Sequence, residues 1–588
     1  MNEEPKSIWK KSWTGLHWLR AWLMVVAATF FTVLIVTLFI PGGPRSLSDW
    51  WPALVFTLLV SVVVATVFVG LWAFIRCFFC WHNFKRLLFG LACFATLIAL
   101  FYAEEDWRGK HDWEQFKHEW ETKGEHFDFA SVVPPPVPDD QNFALTPIAF
   151  TSYGSILTRD GKRIPYEQRD TNFVERIKME IAHYDGWPTN GNWQKSTVSD
   201  LRVWQNYYRA LAAKTNEFSV PSQPQSPAAD VLFALSKYDS VIEELREASR
   251  LPCSRFPLNY DSESPAAIWL PHLAALKRCS QALQLRSIAE LQNGQPEKAL
   301  ADVKLALQLT DKIRTEPFLI SHLVRIAMLQ IMLQPVWEGL AEHRWSDEQL
   351  VALDAELAKL DFLADYKLSM RGEMGLQGGE MDRLRRHPEQ VQDLGGISNG
   401  EGGVMNPLLP GKFAARLIPT GWFYQNQYRC ARMMVEFYLP LADVNQEIIS
   451  PTLTYRADTA VEAVVKHRNP YNILERMLLP ALGNAVKKFA SAQASVGLAR
   501  VAIALERYRL AHGEYPESLA VLSPQFIVKL PHDIINGQPL HYRRTDDGQF
   551  VLYSVGWNET DDDGEVAFKK DGAVDINNGD WVWRYPAK

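Results

Sequence analysis

The chain has 588 residues, 47% hydrophobic and 22% charged, with a pI near 6.1, which is room for about three or four domains of ordinary folded composition. A net charge of −7 supplies no basic field, so nucleic acid is disfavoured as a partner. Six cysteines in this length do not make a disulfide scaffold.

The apolar weight falls in the first hundred residues. AWLMVVAATFFTVLIVTLFI (21–40), ALVFTLLVSVVVATVFVGLWAFI (53–75) and LLFGLACFATLIALFYA (87–103) are long and nearly uncharged, and roughly 17 to 25 apolar residues in a helix cross a bilayer. Pro41, Gly42 and Gly43 end the first, Arg76 the second, and Glu104 with Glu105 the third. The first run exceeds the core of a signal peptide and a second follows at once, so residues 1–103 are expected to be a retained anchor of three transmembrane helices. Lys6, Lys10, Lys11 and Arg20 in the tail, and Arg76, Lys85 and Arg86 in the second short loop, stand against Arg45 alone in the first loop. That bias predicts a cytoplasmic amino terminus, with everything after residue 103 outside the inner membrane of a bacterium and Trp50, Trp51 and Trp107 as interfacial anchors. Cys77 and Cys80 are spaced CxxC but lack the second ligand pair of a zinc site. A Cys253–Cys279 bridge is permitted outside the membrane and is not implied by spacing.

Residues 104–141 read as a charged helix followed by a spacer, because Pro134, Pro135, Pro136 and Pro138 favour extended polyproline II that holds domains apart. From 142 to 450 apolar residues recur mostly at helical spacing, broken near 219–230, 249–260 and 395–412, which predicts a helical bundle or short irregular solenoid. Within it SQALQLRSIAELQNGQPEKALADVKLALQL (280–309) resembles a tetratricopeptide repeat. Gly294 lies at the turn, Ala299 and Ala306 where helices approach, and Leu300, Leu307 and Leu309 form the stripe. Arg286 and Ser287 depart from that pattern, and no second copy follows. SDEQLVALDAELAKLDF opens with Ser346 and Glu348 as a capping arrangement. GEMGLQGGEMDRLRRHPEQ gathers Glu373, Glu380, Asp382 and His387, the best carboxylate cluster for a hydrolase. Arg383, Arg385 and Arg386 among them suggest ordinary surface pairs instead.

Residues 472–522 predict a long helix ending at Gly513, the turn GEYP and a short second helix. Two strands then meet at Asp546, Asp547 and Gly548. Leu505, Tyr508, Leu510, Leu519 and Leu522 form an apolar face for Tyr542, Phe550, Leu552 and Tyr553 to cover. ALERYRLAHGEYP, LPHDIINGQPLHY, DGQFVLYSVG and the acidic run after it resemble, in order and residue type, the globular part of type II secretion major pseudopilins. The resemblance implies that 471–588 is a small α+β module, a long helix on an antiparallel sheet. It also implies a calcium loop in which the Val555 carbonyl, Asn558, Asp561, Asp563 and Asp575 surround the ion, with Asp580 as the alternative late acid. Lys487, Lys488 and Arg500 replace the membrane span that begins a pseudopilin, so the module belongs to a different anchor.

No HExxH, GxSxG, Walker loop or dinucleotide glycine pattern stands in a usable context. The expected protein is mainly α and membrane-bound, a non-catalytic extracytoplasmic scaffold or adaptor with a protein partner in the envelope. The alternative is an extracytoplasmic hydrolase with its site in the helical domain.

Overall fold

The computed structural model describes residues 15–39, 47–78, 81–150, 156–157, 163–164, 179–182, 188–262, 268–393, 415–466, 469, 471–478 and 482–586. Lys6, Lys10, Lys11, Arg45, Cys80 and the loop 395–412 lie outside them, as do the side chains of Trp50, Trp51, Arg76 and Cys77. The chain divides into two compact units, Met1–Glu104 and Glu105–Lys588.

The first unit holds α1 (Gly15–Phe39), α2 (Leu47–Phe78) and the apolar part of α3 (Trp81–Thr122). Each carries a window long and apolar enough to cross a membrane. α1 and α2 pack together; the Trp22 indole donates to Thr66 Oγ1 at 3.0 Å, and Trp18 meets Trp72 edge-on. Hydroxyls in these helices turn back on their own backbone, as Ser61 does to the Thr57 carbonyl and Thr96 to Ala92, which is how a polar side chain is satisfied where no water reaches. Large apolar side chains such as Phe31, Val63 and Phe89 point outward, as they must when lipid is the solvent.

The second unit is mainly helical. Its first layer is α4 (Leu201–Ala212), α5 (Pro227–Leu235) and α6 (Asp239–Ser249), lying against the pair α7 (Pro271–Gln292) and α8 (Pro296–Asp311). Gly294, at φ +70°, makes the turn between α7 and α8, and Pro296 starts α8 where its missing N–H is harmless. Ala299 and Ala306 are fully buried at the contact. α9 (Leu319–Ala341) is also apolar enough to cross a membrane, yet 61% of its window is buried inside the unit. It packs on α7, α8, α11 (Phe362–Arg386) and α15 (Leu482–His512). Its Arg325, wholly buried, donates to the Thr310 carbonyl at 3.0 Å and pairs with Asp365 on α11. α9 is therefore a core helix. α10 (Asp347–Leu357) is capped by Ser346 through a reciprocal box with Gln349, while Glu348 takes the Ser346 hydroxyl.

Close packing on α11 explains the segment after α3. Gly372, Gly375 and Gly378 form one row of that helix. A Cβ at Gly375 would sit 2.8 Å from Phe129 Cα, and one at Gly378 3.0 Å from the Phe127 carbonyl. The residues after α3 thus lie in a glycine groove, with Phe127, Phe129 and Phe143 buried. Beyond the prolines the chain stays attached. Pro134 O accepts from Arg255 Nε at 2.9 Å, and the Phe143 amide donates to Cys253 O at 2.9 Å. α12 (Thr420–Met433) approaches the distal part of α3 equally closely, since a Cβ at Gly109 would lie 2.3 Å from Gly421 O. α13 (Pro451–Lys466) and the short α14 (Ile473–Leu478) lead into α15.

Most of α15 is buried from Leu482 to Glu506, with small side chains alternating among large ones. It packs against α9, α10 and α11 and also against the C-terminal strands. Residues 142–450 and 471–588 consequently share one core. The short pairs β1 (Ile156–Leu157) with β2 (Arg163–Ile164), and β3 (Ala442–Asp443) with β4 (Ile448–Ile449), precede it. After it, β5 (His541–Arg544), β6 (Phe550–Ser554) and β9 (Trp581–Arg584) form an antiparallel sheet in that order, with Leu552 opposite both Tyr542 and Trp583. β7 (Val566–Phe568) and β8 (Val574–Gly579) make a separate hairpin. The sequence predicts two strands here. The third, β9, docks through Trp583 on Trp193, and Arg584 O accepts from the Trp337 indole of α9 at 3.0 Å. Cys253 and Cys279 are free thiols, so the permitted bridge is not formed.

Candidate functional site

Three clusters of titratable side chains deserve comparison. The first is the acidic turn after β6, where Glu559 and Asp563 stand at φ +58°. Its inner carboxylate is Asp580, 2% exposed, which accepts from Gly564 N at 2.7 Å and Asp562 N at 3.3 Å. Burial pushes its pKa up to about 6. Asp562 Oδ2 accepts from Asn558 Nδ2 at 2.9 Å. Asp561 accepts from the Asp563 amide at 3.0 Å, which holds its pKa below the usual range, and from Tyr553 at 3.1 Å; His541 Nδ1 lies 3.3 Å away. Val555 donates its amide to the buried Asp533 at 2.9 Å.

Of the five residues expected to surround calcium, Val555, Asn558, Asp561 and Asp563 belong to this turn. Asp563 is tied to Arg543, and Asp575, on β8, accepts from the Asn577 amide at 3.1 Å and Asn578 Nδ2 at 2.9 Å. Asn578 lowers the Asp575 pKa. Asp580, the alternative late acid, meets the Gly564 amide within the turn because the hairpin β7–β8 carries the chain out and back. Among the described residues, no group of three or more His, Cys, Asp or Glu side chains is arranged to hold a metal ion.

The second cluster fills the α7–α8 contact and accounts for the departure at 286. Arg286 Nε lies 2.7 Å from Asp302 Oδ2 and 3.3 Å from Glu290 Oε1, and Nη1 bonds Asp239. Arg246 of α6 donates to the other oxygen of Asp302 at 2.8 Å. Burial, and then Asp302, push the Glu290 pKa up to about 8, and burial pushes Asp302 the same way. The cluster joins three helices by charge. Ser287 beside it is buried and satisfied by the Leu283 carbonyl at 2.7 Å. Sequence reading missed this set, although an arginine facing an expected apolar position was its signal.

The third cluster is the stretch 373–387. Glu380 pairs with Arg383 within α11, Asp382 with Arg385 at 2.9 Å, and His387 lies 3.9 Å from Glu389. Glu373 accepts from Leu319 N at 3.4 Å, and burial pushes its pKa up to about 7. These groups face different partners and do not converge on one point. Compared with family models, curated proteins and solved structures, the chain has no match.

Proposed function

We propose that this chain is a membrane-anchored scaffold or adaptor of the bacterial envelope, with a cytoplasmic amino terminus and the unit from Glu105 onward outside the inner membrane, where it engages a protein partner. The observation that carries the reading is the pairing of a strongly apolar helical anchor with a large single-core unit whose charged clusters are committed to internal ion pairs. The cation bias of the short loops supports the orientation. The engagement of Glu380 and Asp382 by Arg383 and Arg385 removes support from a hydrolase built on residues 373–387. The C-terminal strands and α15 are, on the same reading, a pseudopilin-like module used for its shape. Its acidic turn would hold calcium through Val555 O, Asn558, Asp561, Asp563 and Asp575, and the abundance of oxygen donors supports this. Binding there requires Asp563 to leave Arg543.

Alkaline phosphatase fused after residue 140 is expected to be active and a fluorescent protein at the same point dark; the reverse overturns the placement. Photo-crosslinkers at the exposed apolar positions Phe233, Trp269 and Val351, tested in intact membranes, are expected to yield a discrete heteromeric adduct. Adducts at none of them would count against an adaptor.

A further inference from the structure

A cavity of about 290 Å³ opens beside the middle of α15. Ala494 and Gly497 form its floor, small residues where larger ones would close it; a Cβ at Gly497 would meet only Pro531, at 3.4 Å. Glycine in mid-helix is a standing cost to the helix, and here it keeps the space open.

The charged groups that line this space are the basic Arg500, Lys529 and His532 and the carboxylates of Asp361, Glu447 and Asp533. On α15, Gln493 gives its Oε1 to the Phe362 amide at 2.8 Å, which leaves its NH₂ as a donor. Arg500 is held through Nε by Asp354 at 2.7 Å, and its terminal nitrogens remain as donors. The acceptors come from other segments. Asp361 caps α11 through Oδ1, taking the Leu363 and Ala364 amides at 3.1 and 2.9 Å, and keeps a second carboxylate oxygen. Glu447, in the β3–β4 turn, contacts Lys529 Nζ at 3.1 Å with both oxygens and lies 3.9 Å from His532 Nδ1. Lys529 is largely exposed, so it yields Glu447 to another cation at little cost. Asp533 also lines the cavity, but Ile535 N, Ser554 Oγ and Val555 N occupy it, and its role is structural.

Glu447 has φ +55°, a conformation that glycine or asparagine adopts more easily in a hairpin turn. A charged residue kept in a strained backbone position at a cavity is an indication of use. The volume is at the lower limit of small-molecule sites, about 300 to 1,000 Å³, so the occupant is small. Donors from α15 suit a carboxylate, and the carboxylates of Asp361 and Glu447 suit an ammonium.

We propose that this cavity binds a small zwitterion, a free amino acid or dipeptide, with its carboxylate on Gln493 and Arg500 and its ammonium on Glu447 and Asp361. The site stands independently of the adaptor reading.

The test uses full-length protein in detergent, titrated calorimetrically and melted with the common amino acids and dipeptides at millimolar concentration. N-acetylated and amidated forms, glucose and inorganic phosphate serve as class controls. At least one amino acid or dipeptide is expected to bind saturably and raise the melting temperature, and its N-acetylated or amidated form to bind about tenfold or more weakly. Glu447→Gly suits the backbone at that position, so the fold is kept while affinity falls by a similar factor. Gly497→Leu fills the floor and should abolish binding. The proposal is overturned if no amino acid or dipeptide binds, if only glucose or phosphate does, or if binding survives both substitutions at full strength.

Discussion

Replacing Arg286 by leucine would give the α7–α8 pair the apolar side chain that a tetratricopeptide-like contact leads one to expect, and it should nevertheless weaken the protein. The arginine side chain is 17% exposed, and the carboxylates it meets on Asp302 and Glu290 are 1% and 2% exposed. Removing it leaves two buried acids with Arg246 as the remaining partner of Asp302. Breaking a buried ion pair by deleting one member costs about 3–5 kcal/mol. Burying a leucine returns roughly 1.5–3 kcal/mol at most, and less here because the arginine stem already covers that surface. The net expectation is a loss of about 2–3 kcal/mol at neutral pH. The sign of its pH dependence follows from the raised acids. A carboxyl whose folded pKa exceeds its unfolded one binds more protons when folded, so its stabilising state is complete below about 4.5 and is lost as pH climbs toward about 8. Without Arg286 both acids rise further. The difference between Arg286→Leu and the parent should therefore be small near pH 5 and large near pH 8, read by tryptophan fluorescence melts of the full chain in detergent. An equal difference at both ends of that range would refute the view that buried charge, rather than packing, holds this contact.

Gly375→Ala improves helix propensity by roughly 1 kcal/mol but pushes a methyl to within 2.8 Å of Phe129 Cα. Overpacking of about 1–3 kcal/mol should win, and Gly372→Ala, aimed at the Pro317 carbonyl, should be worse. A higher melting temperature for Gly375→Ala would show that the Phe127–Phe129 segment does not lie on α11. If the proposed calcium site is real, calcium at a hundredfold its dissociation constant should add about 2.7 kcal/mol of stability, and magnesium much less. Arg543→Gln frees Asp563 and should enlarge the calcium response, whereas Asp561→Ala combined with Asp563→Ala should remove it. Identical melts with and without calcium, in both the parent and Arg543→Gln, would rule out that ligand for the turn.

Elements set by local pattern were legible in the sequence. The three apolar runs before Ala103 and the helical spacing of the middle need only length and period to be recognised, and both are present as helices. Features that depend on distant partners were not. The glycines at 375 and 378 looked like part of a polar surface until Phe129 and Phe127, roughly 250 residues earlier, filled them, as Pro317 fills Gly372. α9 carries an apolar run like those of the anchor, and only its burial by α7, α8, α11 and α15 distinguishes it. Arg286 read as a flaw in a repeat because Asp302 and Asp239, its partners, lie on other helices. At the acidic turn the residue types were legible and the register was not. Asp580 reaches the Gly564 amide only because the β7–β8 hairpin returns the chain to the turn, a pairing that no local pattern announces.

The position of α15 has a consequence for biosynthesis. Faces of α9, α10 and α11 are covered by a helix that begins at Leu482. The Trp337 indole finds its acceptor 247 positions later, and the Phe362 amide 131 later. During synthesis the faces of α9, α10 and α11 that α15 covers stay open until residues 482 onward are made, and contacts of such sequence separation form slowly. A ribosome stalled after α13, or a protease cut there, would leave helices that cannot complete their packing. The stability of the second unit is thus tied to α15 and the strands after it, and should be lost together with them.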